Sequence, residues 1–301
     1  MSGLFAEPAS AAVRTRALLL FLLAAAVTAV SVGLNLAFPA LAPTGTQQTA
    51  TRLIIHAAIL VGLWLGLSRT ALGARSRLVT WLALAVPLTA WLALIWWLAV
   101  DGAFRVRPGA GVPALPVAIF LPLLVGVPLL LCARRVGTIL DATPPSWLVG
   151  LQVYRVFGSV FLVAWAQGNL PGTFALPAGI GDVTVGLLAL PVAVYLHSGA
   201  RGGRAAAVAW NVLGIVDLVN AVTIGLLSTP GPLQLIVPNP PSALLGTFPT
   251  VMIPAFAIPS SIMLHALSLR QLRRLARILP AGPASAAARR PATAMAEAPG
   301  T

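Results

Sequence analysis

Eight stretches of the chain are almost continuously apolar. Each is about 20 residues long, the length that an α-helix needs to cross roughly 30 Å of hydrocarbon. The pattern predicts helices at 17–40, 51–71, 79–100, 112–133, 147–167, 173–197, 205–228 and 248–269. Short segments rich in proline and glycine separate them, as turns require. We therefore expect an all-α fold, a polytopic membrane bundle of eight transmembrane helices within residues 1–279.

The arginines are distributed unevenly between the two sides of this bundle. Assigning alternate loops to opposite sides leaves Arg52, Arg105 and Arg107 on one side and 15 of the 19 basic residues on the other. The larger group consists of Arg14, Arg16, Arg69, Arg75, Arg77, Arg134, Arg135, Arg201, Arg204, Arg270, Arg273, Arg274, Arg277, Arg289 and Arg290. Because basic residues concentrate in cytoplasmic loops, both termini are predicted to be cytoplasmic. The expected location is the cell membrane, which in a bacterium is the cytoplasmic membrane.

Composition agrees with this assignment and excludes several functions. The chain is 58% hydrophobic and only 8% charged, so its net charge of +13 has a topological explanation and predicts no nucleic-acid partner. All 19 basic residues are arginine, which excludes cofactors that need a lysine Schiff base. The single cysteine, Cys132, forms no internal disulfide and supplies no metal cage. We expect no cofactor and no metal.

The chain end carries a second basic feature. Arg270, Arg273, Arg274 and Arg277 share one helical face, and leucines occupy another. This pattern predicts a short amphipathic helix at the cytoplasmic surface, with anionic lipid as its partner. A simple positively charged flank of the last span is the alternative. Residues 280–301 are mainly alanine, proline and glycine without periodicity, which predicts a disordered cytoplasmic tail.

Polar residues interrupt the last four predicted helices, at about 147–269. The candidate binding residues are Gln152, Arg155, Asp182, Asn211, Asp217, Asn220 and His265. On the predicted fifth helix, Gln152, Arg155 and Ser159 have the spacing of one helical face. Ionisable residues at bilayer depth are costly, so their presence in an apolar segment suggests a function. Four consecutive helices therefore each present a polar stripe.

Three of these residues, Arg155, Asp182 and Asp217, are predicted near the middle of the membrane and within reach of one another. One arginine facing two carboxylates leaves a negative charge. A retained proton, a protonated His265 or a bound cation would complete the balance. Each option favours a site for small-solute or proton-linked transport. The alternative is a non-catalytic scaffold or sensor in which a static ion-pair network joins the helices.

A third hypothesis comes from two short strings. Gly179-Ile180-Gly181-Asp182 and Pro113-Ala114-Leu115-Pro116 resemble signatures of the presenilin-like intramembrane aspartyl proteases. The resemblance implies a hydrolase in which Asp182 and a second membrane-embedded aspartate activate water. The order differs from that family, because the second aspartate here, Asp217, follows the Gly-x-Gly-Asp string and the Pro-Ala-Leu string precedes it.

Overall fold

The computed structural model describes residues 9–39, 44–105, 114–231 and 233–278. This part of the chain is helical and contains no strands. The predicted tail at 280–301 lies outside it. Nine helices follow one another in the order α1 Ala11–Ala37, α2 Thr44–Ser68, α3 Ala74–Val100, α4 Ala114–Cys132, α5 Arg134–Ala142, α6 Pro145–Ala166, α7 Gly172–His197, α8 Gly203–Ser228 and α9 Ile258–Ile278.

The prediction of eight long apolar helices is confirmed. All helices except α5 are long and apolar enough to cross a membrane, when each is counted with its irregular turns. Helix α2 starts seven residues earlier than predicted, because Thr44–Thr51 continues the helix despite its polar composition. Arg52, the second residue of the predicted helix 51–71, is therefore two turns inside α2 and only 7% exposed.

Helix α6 is not a uniform α-helix. It begins as α-helix over Pro145–Leu151, continues as a 3₁₀-helix over Gln152–Ser159 and returns to α-helix over Val160–Ala166. Runs of 3₁₀-helix longer than three or four residues are uncommon and often mark a functional hinge or a strained sequence. A second irregularity, a π-helical turn at Ile253–Ala257, leads into α9.

Helix α5 is a short amphipathic helix that the sequence analysis had treated as a loop. The last turns of α9 pack on it. Gln271 of α9 donates from Nε2 to the carbonyl oxygens of Leu140 at 2.5 Å and Thr143 at 2.6 Å, where α5 ends. Arg274 forms a salt bridge with Asp141 of α5. These contacts fix the end of α9 against the protein, so the C-terminal basic segment continues α9 and is not a separate surface helix.

Arg270 is also engaged by the protein. Its Nη1 donates to the Leu130 carbonyl at 2.6 Å and its Nη2 to the Ala133 carbonyl at 3.1 Å, where α4 ends. Carbonyls at the end of a helix lack an intrahelical partner, so the guanidinium caps α4. Of the four arginines predicted to bind lipid, Arg273 is exposed, and the side chain of Arg277 lies outside the described residues.

Helix α7 packs against α1, α6 and α8. It belongs to the polar half of the bundle, α6 to α9, which contains the predicted polar stripes. Gly179 and Gly186 face α6, as their spacing around Asp182 predicts. A Cβ at Gly186 would collide with the backbone of Val156, and one at Gly179 would lie 2.7 Å from the Leu162 side chain. The absence of side chains at these two positions lets the backbones of α6 and α7 approach closely, as small residues do in membrane helices.

We expect Gly186→Ala to lower the free energy of unfolding in detergent by about 1–3 kcal/mol, because overpacking forces the two backbones apart. Gly33→Ala is the matched control: Gly33 is exposed on α1, and an added Cβ there meets no atom within 4 Å. The control should be unchanged or slightly more stable, since alanine favours helix more than glycine does. Equal thermal stability of the two variants would show that α6 and α7 are not closely packed at Gly186.

Candidate functional site

Arg155 is at the centre of the polar site, on the 3₁₀ segment of α6, and is 3% exposed. Its Nε donates to Asp182 Oδ1 at 2.7 Å, and its Nη2 lies 2.7 Å from the same oxygen. Nη2 also donates to Asp217 Oδ2. Nη1 donates to the Gly214 carbonyl at 3.3 Å and lies 3.2 Å from His265 Nε2. Each guanidinium nitrogen thus has an acceptor, and one side chain joins α6, α7, α8 and α9.

The contact with Arg155 determines the tautomer of His265. A guanidinium can only donate, so Nε2 must accept and the ring proton must be on Nδ1. Nδ1 lies 3.0 Å from Asn211 Oδ1, which accepts this proton. The Asn211 amide nitrogen donates in turn to the Ala207 carbonyl at 2.7 Å and to Ser268 Oγ at 3.0 Å. In this arrangement His265 is neutral, so a protonated His265 does not supply the missing positive charge.

A second arginine, Arg52, also lies in the bundle interior. It lies on α2, is buried, and interacts electrostatically with Asp182 and with Tyr154. Within the described residues its guanidinium forms no salt bridge, and its Nε has no hydrogen-bond partner. Two arginines therefore face two aspartates in the bundle interior. The sequence analysis left Arg52 out of the charge count because it lies at the outer end of the predicted helix 51–71; with Arg52 included, the formal charges balance.

Gln152 is a predicted site residue with an unusual environment. It is fully buried, one 3₁₀ turn before Arg155, and neither its Oε1 nor its Nε2 has a hydrogen-bond partner among the described residues. A buried amide without partners costs about 1–3 kcal/mol. Buried unsatisfied groups of this kind are rare in native proteins, and a ligand or water site is one explanation. Gln152 is therefore a candidate ligand-binding residue beside a fully engaged arginine.

Two residues of the predicted polar stripes, Ser159 and Asn220, do not join the network around Arg155. A 3₁₀-helix has 3.0 residues per turn, so Gln152 and Arg155 align, whereas Ser159 is rotated away from them. Ser159 lines a different cavity, beside Arg52. Asn220 is exposed on α8, nine residues after Asn211, and the structure does not bring it into the network. Nine steps of about 100° place it half a turn around the helix, on the opposite face.

The cavity beside Arg52 is polar and lies between α1, α2 and α6. It has a volume of about 20 Å³, and Asn35, Gln48, Arg52 and Ser159 are among its lining residues. Such a volume holds about one water molecule. Asn35 Oδ1 and Gln48 Oε1 are also buried without partners among the described residues. A water here could donate to these oxygens and accept from the guanidinium. Asp182 and Asp217 line neither this cavity nor the larger apolar cavity described below; the Asp217 side chain is 8% exposed and that of Asp182 15%.

Glycines make room for the charged groups. A Cβ at Gly158 would collide with the Asp182 carboxylate, and one at Gly181 with the Asp217 carboxylate. A Cβ at Gly214 would collide with the imidazole that accepts from Arg155. Sequence reasoning missed Gly158, and it noted Gly181 and Gly214 only for their place beside polar residues, without predicting that they make room for side chains. The site is therefore formed by side chains from four helices packed against glycine backbone.

Tyr154 is a further residue that the sequence analysis missed. Its hydroxyl lies 2.8 Å from Ser261 Oγ, and Ser261 donates to the Ala257 carbonyl at 2.8 Å. Because the single serine proton is used in that bond, Tyr154 is the donor to Ser261. The bond attaches the 3₁₀ segment of α6 to α9, just after the π-helical turn. Ser261 therefore links the 3₁₀ segment of α6 to Ala257, the last residue of the π-helical turn.

The geometry argues against the hydrolase hypothesis. In an aspartyl hydrolase the two catalytic carboxylates lie close together and share one proton, because two ionised carboxylates at that distance would repel one another. Here Asp182 and Asp217 both bind the guanidinium of Arg155, which favours two ionised carboxylates. The Gly-x-Gly-Asp string has a packing explanation instead, since Gly179 faces α6 and Gly181 faces Asp217.

Comparison with known proteins gives one match. Residues 112–273, just over half of the 301-residue chain, match the family described as a domain of unknown function, DUF8737. The match contains α4 to α8 and most of α9, and hence Arg155, Asp182, Asp217 and His265. It does not contain Arg52. No curated protein and no solved structure matches the chain.

We expect Arg155→Gln to destabilise the protein by about 3–5 kcal/mol, because it leaves buried carboxylates without their partner. Adding Asp217→Asn should recover part of this loss, since Arg52 and Asp182 then balance one another. A double-mutant cycle of thermal unfolding in detergent measures the coupling. Arg204→Gln, at an exposed arginine, should change stability by less than about 0.5 kcal/mol. Additive losses in the double mutant would show that the two residues do not interact.

Proposed function

We propose that the chain, which belongs to the DUF8737 family, is a multi-pass protein of the cell membrane with both termini in the cytoplasm. Eight helices of sufficient length and apolarity support membrane insertion. The distribution of arginines supports the orientation. With Arg52 inside α2, only Arg105 and Arg107 remain on the predicted outer side, against 15 on the inner side.

We further propose that the site around Arg155 serves small-solute or proton-linked transport. The observation that carries this proposal is Gln152, a fully buried amide with no partner among the described residues, next to Arg155 on an eight-residue 3₁₀ segment. A purely structural network would be expected to satisfy its own polar groups. Discontinuous helices near the middle of the membrane are also a common way to form a transporter site.

Polar groups extend from this centre in two directions. On one side, Asp182 interacts electrostatically with Arg52 beside the small polar cavity. On the other, the hydrogen bonds run from Arg155 through His265 and Asn211 to Ser268. Both carboxylates are mostly buried and engaged by Arg155, as a transport site between its two open states would be. Proton or solute exchange would require α6 or α9 to move at its irregular segment.

A structural role is the second candidate, and one observation favours it. Every nitrogen of the Arg155 guanidinium already has an acceptor within the protein, and the buried charges balance. A non-catalytic scaffold or sensor would use this network to hold α6 to α9 in one arrangement. In that case removing either carboxylate would mainly affect stability.

We also propose that anionic lipid binds at the cytoplasmic end of α9. Arg273 is exposed there, and an arginine near the membrane surface contributes about 1 kcal/mol to binding anionic lipid. Arg270 and Arg274 instead donate to protein groups, which leaves Arg273 and the neighbouring loop arginines as the candidates for lipid contact.

The proposed topology predicts that reporters fused at Thr301 and inserted within 229–247 will report opposite compartments. An enzymatic reporter pair that is active only in the cytoplasm or only outside it measures this directly. A fusion in the α7–α8 loop, at Gly199, should agree with Thr301. The eight-span topology would be wrong if the reporters at Thr301 and in 229–247 gave the same compartment.

The transport and scaffold proposals make different predictions for Asp182→Asn and Asp217→Asn. If the site transports a proton or a charged solute, both variants should lose pH-dependent flux in proteoliposomes while thermal stability stays near normal, because asparagine keeps the shape of aspartate. If the site is structural, both should lose about 3–5 kcal/mol of stability. Asp101→Asn, at an exposed carboxylate after α3, is the control for both measurements. Normal flux in both variants would exclude transport through this site.

A further inference from the structure

A large apolar cavity lies among the helices, toward the end of the bundle where α1 begins. Its volume is about 1130 Å³. It is lined by residues of α1 to α7 and α9, for example Gly62 of α2, Leu121 of α4, Leu190 of α7 and Leu264 of α9. Ligand pockets in proteins usually measure about 300–1,000 Å³, so this cavity could accommodate a large ligand. The site around Arg155 does not line it.

The polar lining groups are concentrated at one end of the cavity. Arg16 is near the start of α1, and His197 is the last residue of α7, so both belong to the same side of the bundle. Trp147, at the start of α6, also lines this end, and the guanidinium of Arg69 lies 4.8 Å from the centre of its ring. Arg16, Arg69 and His197 are exposed. The cavity is thus apolar inside, with basic groups at its mouth.

The height of the cavity matches half of a bilayer. Along α7 the lining extends from Leu190 to Ser198, about 12 Å at 1.5 Å per residue. Along α4 it extends from Leu121 to Leu130, about 13.5 Å. One leaflet contributes about half of the roughly 30 Å hydrocarbon thickness. An acyl chain of the same leaflet would therefore fill the cavity with its headgroup at the basic mouth.

We propose that this cavity binds an anionic phospholipid of the cytoplasmic leaflet, with its acyl chains among the apolar side chains and its phosphate beside Arg16 and Arg69. Water is a poor occupant, since an apolar cavity offers too few polar partners to hold it. The basic mouth favours an anionic headgroup over a neutral one. The inference rests on the proposed membrane location and is independent of transport by the site around Arg155.

Gly62 provides a direct test. Gly62 lines the cavity and an added Cβ there meets no atom within 4 Å, so the ring of Gly62→Phe would enter the cavity. Gly33→Phe is the matched control, because Gly33 has the same open surroundings on the exposed face of α1. The measurement is the phospholipid content per chain, by extraction and mass spectrometry, after exchange into a mild detergent.

Wild type and Gly33→Phe should retain at least one phospholipid per chain, enriched in anionic headgroups, and Gly62→Phe should lose at least half of it. If Gly62→Phe does not elute as a folded protein, Gly62→Leu gives the same comparison with a smaller side chain. Added phosphatidylglycerol should raise the melting temperature more than phosphatidylcholine does, and Arg16→Gln should reduce this difference. Equal lipid retention by Gly62→Phe and wild type, or a folded wild type that retains only detergent, would overturn the proposal.

Discussion

The arrangement of the polar half depends on one guanidinium. Arg155 can only donate hydrogen bonds, so each group around it must accept, and this single requirement determines the ionised state favoured for two aspartates and the tautomer of His265. It also determines which helices can be neighbours, because its acceptors come from α7, α8 and α9. In a low-dielectric interior, a charge of this kind is tolerated only when its partners are in place.

Backbone geometry lets these partners meet. The 3₁₀ segment turns Gln152 and Arg155 to the same side, and the glycines of α7 and α8 leave space that side chains would otherwise fill. A continuous α-helix at 152–159 would align Ser159 with Arg155 instead. The irregular segment is therefore part of how the site is formed, and its contact with α9 through Tyr154 links it to the π-helical turn.

Sequence patterns predicted the parts of this protein that depend on composition. The eight apolar helices were found because twenty-residue hydrophobic runs are a strong signal, and Arg155, Asp182, Asp217, Asn211 and His265 were found because polar residues stand out against such runs. Sequence patterns were less informative where local geometry decides. The start of α2 was placed seven residues too late because its first two turns are polar. Asn220 lies outside the network because steps of three residues drift around an α-helix. The 3₁₀ segment has no sequence signal of its own.

The position of Arg52 shows that the buried charges extend beyond the part of the chain that matches the family. The family match begins at residue 112, after the first three helices, and yet the second interior arginine, which balances the formal charges of the two aspartates, lies on α2. The interior of the region defined by sequence similarity contains two aspartates and one arginine, so these interior charges do not balance without Arg52. A related chain with a different N-terminal half would need a basic residue from another helix, or a proton held on one aspartate, to keep the same interior. The physical unit is thus larger than the sequence-defined one.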